Sequence, residues 1–421
     1  MPRKPFAKQP SIGAKHRASG ATLIFYYTRE NRHSFNALAG ALEKAGIPGL
    51  NLSFPETEKK LIAEIAKSLT ARRITAAGFS FFTSQVPHME RLAAYLKNKF
   101  GDRLRLIAGG PHPSGAPKEV LKMGFDHVTA GDGEKTIIDL AQGLINRRRP
   151  DKKIIIPRKT EDLDSYPPFS LKWGKFGPIE ITRGCPFGCS YCQTSYLFGC
   201  KPRHRSAANI LSIVELMKSE ELCDIRVVTP DAFAYGSKNG KEICPGKIEE
   251  LLKGARKILK TEGRIFFGSF PSEVRPDHVT KETLDLTRRY ADNKRLVIGA
   301  QSGSPKMLAA IRRGHTVEDI YNAVSLALRS GFGADVDFIL GLPGERETDA
   351  EMTLRAMEDL VRLGARIHAH AFMPLPGTPF ADRAPARLSE RTVGRLRNLV
   401  ARGHAFGQWE KQRKLAKKIH G

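Results

Sequence analysis

Three of the six cysteines fall within eight residues, in Cys185-Pro-Phe-Gly-Cys189-Ser-Tyr-Cys192, and all six lie at or beyond position 185. Such crowding points to metal or redox chemistry, not to disulfides. Three thiolates on one loop can hold three irons of a [4Fe–4S] cluster and leave the fourth iron open to a substrate or cofactor. A zinc site would need four ligands, commonly as two separated CxxC pairs. Cys200 is the one other cysteine nearby, and its spacing fits no zinc pattern. Gly184 and Gly188 let the backbone wrap a cluster without Cβ clashes. Cys200, Cys223 and Cys244 are not within a CxxC distance of one another and are expected to be ordinary residues.

The elements that must position this loop follow from the hydrophobic rhythm. At 421 residues, 41% hydrophobic and 27% charged, the chain has room for two or three domains and an ordinary globular composition. From residue 21 to 146, apolar runs at Thr22–Tyr27, Gly49–Ser53, Ile74–Phe82, Leu104–Gly109 and Asp126–Thr129 alternate with helical stretches. That alternation predicts a doubly wound parallel sheet of Rossmann or flavodoxin type. Its ligand crevice belongs at the carboxyl ends of the strands, on loops Ser80–Pro87, Gly109–Gly115 and Gly131–Glu134. Residues 147–178, broken by Pro150, Pro157, Pro167, Pro168 and Pro178, read as a linker. Six further strands, at Ile179–Thr182, Arg226–Thr229, Arg264–Phe270, Arg295–Gln301, Asp335–Gly341 and Ile367–Phe372, predict a partial (β/α)6 barrel over 179–380. A basic, mostly helical extension over 381–421 follows, with Gly403–Trp409 expected to close the open side of the barrel and Trp409 to act as a packing anchor.

The formal net charge is +25. Residues 1–20, a basic tail, contribute +5 and residues 382–421 contribute +8. Weak nucleic-acid contact through these ends is one reading, and solvated basic faces are the other. The N-terminal stretch has no apolar core, so no secretory signal is expected, and no run is long enough to span a membrane. The expectation is a cytoplasmic protein with no membrane partner.

CxxxCxxC with Tyr191 before the third Cys resembles the cluster motif of radical S-adenosylmethionine (SAM) enzymes. The stretch Ile179-Glu-Ile-Thr-Arg-Gly-Cys185 through Thr194 resembles that of archaeal proteins pairing a B12-binding domain with a radical SAM domain. Gly109-Gly-Pro-His-Pro113 and Gly131-Asp-Gly-Glu134 are similar to pieces of their cobalamin-binding half. Phe270–Arg275, Ile298–Ser304, Arg312–Thr316, Gly341–Glu345 and Pro374–Pro379 are similar to pieces of their barrel.

The resemblance implies a cluster on Cys185, Cys189 and Cys192, reductive cleavage of SAM to a 5′-deoxyadenosyl radical, and hydrogen abstraction from an unactivated carbon. It places Tyr191, Ser272, Glu273, Arg275, Gln301 and Ser302 around SAM, with Gln301 standing where many relatives carry Glu. It implies cobalamin over Ser84, Gln85, Val86, Gly109, Gly110, His112, Gly131 and Gly133. The Asp-x-His-x-x-Gly fingerprint that supplies a lower axial imidazole is not found as such. His112-Pro-Ser-Gly115 keeps His-x-x-Gly but follows the fourth strand and has Gly110 in place of Asp, so His112 is not read as a cobalt ligand. A ferredoxin- or flavodoxin-type electron donor is implied as a partner.

Three functions compete at this stage. The first is cobalamin-dependent methylation of an unactivated carbon. The second is radical SAM chemistry of another kind with a degenerate B12 domain. The third is a nucleic-acid-binding protein with a structural cluster. RNA methylthiotransferases carry an extra Cys-ligated cluster in an N-terminal domain, whereas residues 1–184 here contain no Cys.

Overall fold

The computed structural model describes residues 20–420. The basic tail 1–20 lies outside the described residues except for Gly20.

The first half is a six-stranded parallel sheet built from β1 (Ala21–Phe25), β2 (Leu50–Ser53), β3 (Ile74–Ser80), β4 (Leu104–Gly109), β5 (His127–Thr129) and β6 (Ile154–Ile155), in the order β2-β1-β3-β4-β5-β6. Alternation along each strand feeds two cores. Ala21, Leu23 and Phe25 of β1 pack with Phe35, Leu42 and Ile137 on one face, while Ile24, Ala77 and Phe79 pack with Leu61, Leu92 and Leu96 on the other. Burial on both faces explains why these strands read as continuous apolar runs. The strand order reverses between β1 and β3, which opens a crevice at their carboxyl ends.

The stretch 147–178 is more than a linker. β6 extends the sheet, and Ser170 donates from its Oγ to a Glu43 carboxylate oxygen at 2.6 Å, strapping the segment across helix Arg32–Ala45. Gly40 lies under that strap. A Cβ there would stand 2.4 Å from the Phe169 carbonyl oxygen, so only glycine admits the crossing.

The second half opens with β7 (Ile179–Glu180) and β8 (Thr182–Arg183), then β9 (Arg203–His204), β10 (Asp224–Val228), β11 (Arg264–Phe266), β12 (Arg295–Gln301), β13 (Gly333–Leu340), β14 (Arg366–Ala371) and β15 (Ala405–Phe406). Two parallel ladders, β11-β10-β7 and β12-β13-β14-β15, are joined through a parallel bridge between Val274 and Ile298. The predicted strand Arg264–Phe270 stops at Phe266, because the chain turns through Gly268 at φ +73° before Val274 regains the ladder.

β15 adds to the outer edge of β14, and helix Trp409–His420 packs beside it. Trp409 and Ala416 are buried there, and Gln412 Oε1 accepts from the Ala371 N–H at 3.0 Å. The basic C-terminal segment is therefore integral to the barrel and not a free tail. No helix among the described residues is long and apolar enough to cross a membrane.

Candidate functional site

The cluster loop leaves β8 and returns at β9. Those two strands pair antiparallel, Arg183 opposite Arg203, so residues 184–202 form a clasped excursion. Gly184 has φ +88°, and a Cβ there would stand 2.7 Å from the Lys201 carbonyl oxygen. Within the loop, Ser195 Oγ donates to the Cys185 carbonyl at 2.7 Å and Tyr196 Oη to the Gly188 carbonyl at 2.8 Å, which fixes the turn that carries the thiols.

Cys189 is buried, and Cys185 and Cys192 are partly so. Burial pushes the Cys185 thiol up to about 11, and Cys189 and Cys192 add to that rise. Burial likewise raises the Cys192 thiol. Among the described residues, the three thiols do not form a set whose ligand atoms lie within 4.8 Å of one another. They are spaced too widely to share one ion, as thiolates on separate irons of a cubane must be. The donor set fits a [4Fe–4S] cluster.

Arg313 emerges beside this loop although sequence reasoning gave it no role of its own. Its guanidinium donates to Cys189 Sγ at 3.8 Å and to the Gly299 carbonyl at 2.7 Å, and it stands 3.8 Å from a Glu273 carboxylate oxygen. Burial works to lower its pKa, but Tyr191, Cys189 and Glu273 more than offset that and hold it well above the ordinary value. Glu273 itself is pushed up to about 7, first by burial, with Arg313 opposing. The signal available in sequence was its place within Arg312–Thr316.

The other residues expected around SAM divide. Tyr191 and Cys192 line a cavity of about 490 Å³. Gln301 sits at the end of β12 with φ +70°, beside a register shift against β13, and such non-glycine strain is typical of functional positions. Ser302 is withdrawn. Its hydroxyl bonds Thr353 Oγ1 at 3.2 Å and accepts from the Ser304 N–H, and no part of it is exposed. Ser272 is likewise turned inward onto the Ser269 carbonyl.

Arg275 departs furthest from expectation. It is 1% exposed, its guanidinium lies 3.4 Å from the Phe187 ring centroid, and it pairs with Asp277. It packs on the cluster loop through Phe187, and its Nη1 is buried without a hydrogen-bond partner.

On the first half, a crevice of about 240 Å³ opens at the carboxyl ends of β1, β3, β4 and β5. Gly109, Gly110, Gly131 and Gly133 all line it. Gly110 has φ +89°, and a Cβ there would stand 2.4 Å from Ser80 Oγ, so side chains are excluded where a ligand must approach the backbone. This glycine cradle fits a corrin-type ligand.

Ser84 lines the larger cavity together with Thr83 and Pro111, whereas Gln85 and Val86 do not reach it. Gln85 is tied to its own turn by accepting from the Phe82 N–H at 3.0 Å, and Val86 packs into the sheet core. His112 lines neither space. It is buried against Phe81, its Nδ1 lies 3.2 Å from Thr83 Oγ1, and its Nε2 stands 3.6 Å from Glu119. The imidazole that does line the crevice is His33, which sequence reading passed over. It follows β1 within Asn31-Arg32-His33-Ser34-Phe35-Asn36, which keeps the His of the fingerprint and has Asn at the Asp and Gly positions.

The two halves meet at the cluster. Gln193, next to Cys192, donates its amide to the Pro111 carbonyl at 3.1 Å and to the Pro376 carbonyl at 2.8 Å. Arg183, at the mouth of the loop, pairs with Glu134 and Glu180 at 2.6 Å and with Asp132 at 3.4 Å, and Arg203 pairs with Asp132 at 2.7 Å. The acids of Gly131-Asp-Gly-Glu134 therefore lock the sheet to the barrel. Pro111 and Phe198 line both the crevice and the larger cavity, so the two spaces share a wall.

Comparison with known proteins gives the same division. The family model of the Radical SAM superfamily matches residues 179–357, and that of the B12 binding domain matches residues 32–141. An uncharacterized protein of Methanopyrus kandleri is 23% identical over 78% of this chain and 72% of its own length. A tRNA-2-methylthio-N(6)-dimethylallyladenosine synthase of Herminiimonas arsenicoxydans is 27% identical over 64% of this chain, and the match spans 59% of that relative. The radical SAM methyltransferase TsrM of Kitasatospora setae, solved with cobalamin and a [4Fe-4S] cluster, shares the fold with a TM-score of 0.64 at 15% identity, over 86% of this chain and 77% of that one. The radical SAM domain implies the cluster and SAM, and the B12-binding domain implies cobalamin. With a cluster loop clasped at the barrel mouth and a glycine-lined crevice facing it, the chain carries a radical SAM domain preceded by a B12-binding domain.

Proposed function

We propose that this protein methylates an unactivated carbon of its substrate in a cobalamin-dependent radical SAM reaction. The observation that carries the reading is the single cavity of about 490 Å³ walled by Thr83, Ser84 and Pro111 of the sheet and by Tyr191, Cys192 and His370 of the barrel. A methyl carrier and a substrate radical can meet only where both halves open on one space, and proximity of this kind contributes much of the rate. When bound, the cluster and SAM supply the radical and cobalamin carries the methyl group.

Cys185, Cys189 and Cys192 would hold the cluster. Arg313 places a positive charge against Cys189, 3.8 Å from its sulfur. Glu273, 3.8 Å from Arg313, presents a carboxyl whose pKa is raised above the ordinary value and whose oxygens can accept from hydroxyl or amino groups. Gly110 and Gly131 would let a corrin approach the strand ends. A small electron-transfer protein would feed the cluster.

Anaerobic reconstitution with iron, sulfide and hydroxocobalamin, followed by mass spectrometry of SAM products, tests the reading. 5′-Deoxyadenosine together with S-adenosylhomocysteine is expected. Deoxyadenosine alone, from protein that retains no cobalamin, would favour radical chemistry without methyl transfer.

A further inference from the structure

We propose that Asp337, His368 and His370 form a mononuclear divalent-metal site in the barrel lumen, separate from the cluster and suited to zinc or another first-row ion. Among the described residues this is the one group of three or more His, Cys, Asp or Glu whose ligand atoms all lie within 4.8 Å of one another.

Its placement follows from strand geometry. Asp337 on β13 is the register partner of His368 on β14. His368 and His370 are two residues apart, so their side chains share a face of the sheet. Ile339, two residues beyond Asp337, and His370 both line the 490 Å³ cavity, which makes that face the lumen side. The helix-facing positions between them, Val336, Phe338, Ile367 and Ala369, are fully buried and apolar. On the same face, Asp335 is already paired with Arg295 and Arg366 at 2.8 Å, which leaves Asp337, His368 and His370 as a separate polar patch nearer the cavity.

The donor geometry suits an ion. His368 Nδ1 lies 3.0 Å from Asp337 Oδ1. Two ligands about 2.1 Å from one zinc at a tetrahedral angle stand about 3.4 Å apart, close to that spacing. The His368 ring is held flat on Phe406, centroids 4.6 Å apart and planes within 7°, which fixes its orientation as ligand support requires.

A plain Asp–His hydrogen bond would account for His368 but not for His370. The two imidazole centroids lie 4.1 Å apart, and the His370 ring makes no hydrogen bond among the described residues. A cation between the rings gives His370 a partner. Two imidazoles and one carboxylate form a donor set that leaves coordination positions for an exogenous oxygen. Because His370 borders the cavity shared with Tyr191 and Cys192, the ligand class is a substrate oxygen, such as a carboxylate or hydroxyl.

The site goes beyond the methylation reading and stands or falls separately. The full chain, loaded with its iron–sulfur cluster, would be incubated with zinc chloride, gel-filtered, and its zinc and iron counted by inductively coupled plasma mass spectrometry. About one zinc per chain is expected in the wild type. His370→Ala should weaken zinc binding by roughly tenfold or more, with iron content unchanged as the folding control. Should His370→Ala also lose iron, the isosteric Asp337→Asn replaces it with the same expectation. Substoichiometric zinc in the wild type, or full zinc retention in a variant that keeps its iron, overturns the proposal.

Discussion

The rim of the sheet crevice and the lumen of the barrel both bury charge, and they treat it oppositely. At the rim, Asp132 is held below the ordinary carboxylate range. Burial alone would raise it, but Arg183 and Arg203 more than offset this. At the lumen, Glu273 is driven up to about 7 with one arginine at 3.8 Å. His370 is pushed down to about 4, first by burial and then by neighbouring His368. The rim sets two arginines against its acids and so serves assembly. The lumen leaves its titratable groups under-compensated, the condition in which protonation and ligand binding are coupled.

The sharpest way to break that comparison is to remove the chemistry from one side. Replacing Cys185, Cys189 and Cys192 together with Ala is expected to abolish iron binding and reductive SAM cleavage, while Cys200→Ala, Cys223→Ala and Cys244→Ala keep both. A [4Fe–4S] absorption spectrum in the triple variant would sink the ligand assignment.

On the assembly side, Arg183→Ala leaves Glu134 and part of Asp132 buried without their cation and the half-buried Glu180 unpaired. Removing one member of a buried ion-pair network costs about 3–5 kcal/mol. Urea unfolding should report a loss of that order. A loss under about 1 kcal/mol would mean that the rim is solvated and that the contrast with the lumen is not real.

A third effect is pH-dependent. Glu345, in the Gly341-Leu-Pro-Gly-Glu345 turn after β13, is pushed up from 4.5 to about 7 by burial, although it accepts from the Gly341 N–H at 2.5 Å. Its other carboxylate oxygen is buried without a partner. The folded state therefore binds a proton more tightly than the unfolded state. Stability from this group is complete below pH 4.5 and falls as pH rises to about 7. At about 1.4 kcal/mol per unit, the total is on the order of 3 kcal/mol. Glu345→Gln should flatten the slope of unfolding free energy against pH across that window. An unchanged slope would place the carboxyl in contact with water.

Sequence made the regular elements and the cluster legible because both are local. β12 coincides with its predicted span, and β4 does too, since apolar runs and turn residues are neighbours in the chain. The three thiols needed only their own spacing. What escaped was assembled from afar. Arg313 meets Cys189 across more than a hundred residues, and Gln193 bridges Pro111 and Pro376. Ser302 and Arg275 were placed at SAM by their position after a strand, but position does not say which way a side chain turns. The structure points both inward, one to Thr353 and the other to Phe187. Asp337 and His368 lie 31 residues apart and meet only through strand pairing. The short helix Gln193–Phe198 was missed because it is set by the thiol loop and not by amphipathic periodicity.

The smallest expected effect concerns the imidazoles near the corrin. His112 preserves part of a familiar fingerprint, yet its Nδ1 is engaged with Thr83, its ring lies on Phe81, and it borders neither cavity. Turning it toward a cobalt ion would break the hydrogen bond to Thr83 and expose an apolar pocket. His112→Ala is therefore expected to leave the electron paramagnetic resonance spectrum of bound cob(II)alamin unchanged. His33 borders the crevice but begins helix Arg32–Ala45, where Gly177 packs against its ring. The expected state is cobalamin without ligation by His112, whose ring is turned inward, while His33 is exposed at the crevice and is the imidazole that the measurement must test. Nitrogen superhyperfine coupling would report a protein imidazole on cobalt, and the variant that removes it locates the cause. Loss in His33→Ala would show that the crevice itself supplies the ligand. Loss in His112→Ala would show that the inward-facing ring rotates, and the rim would then be less fixed than its ion pairs imply.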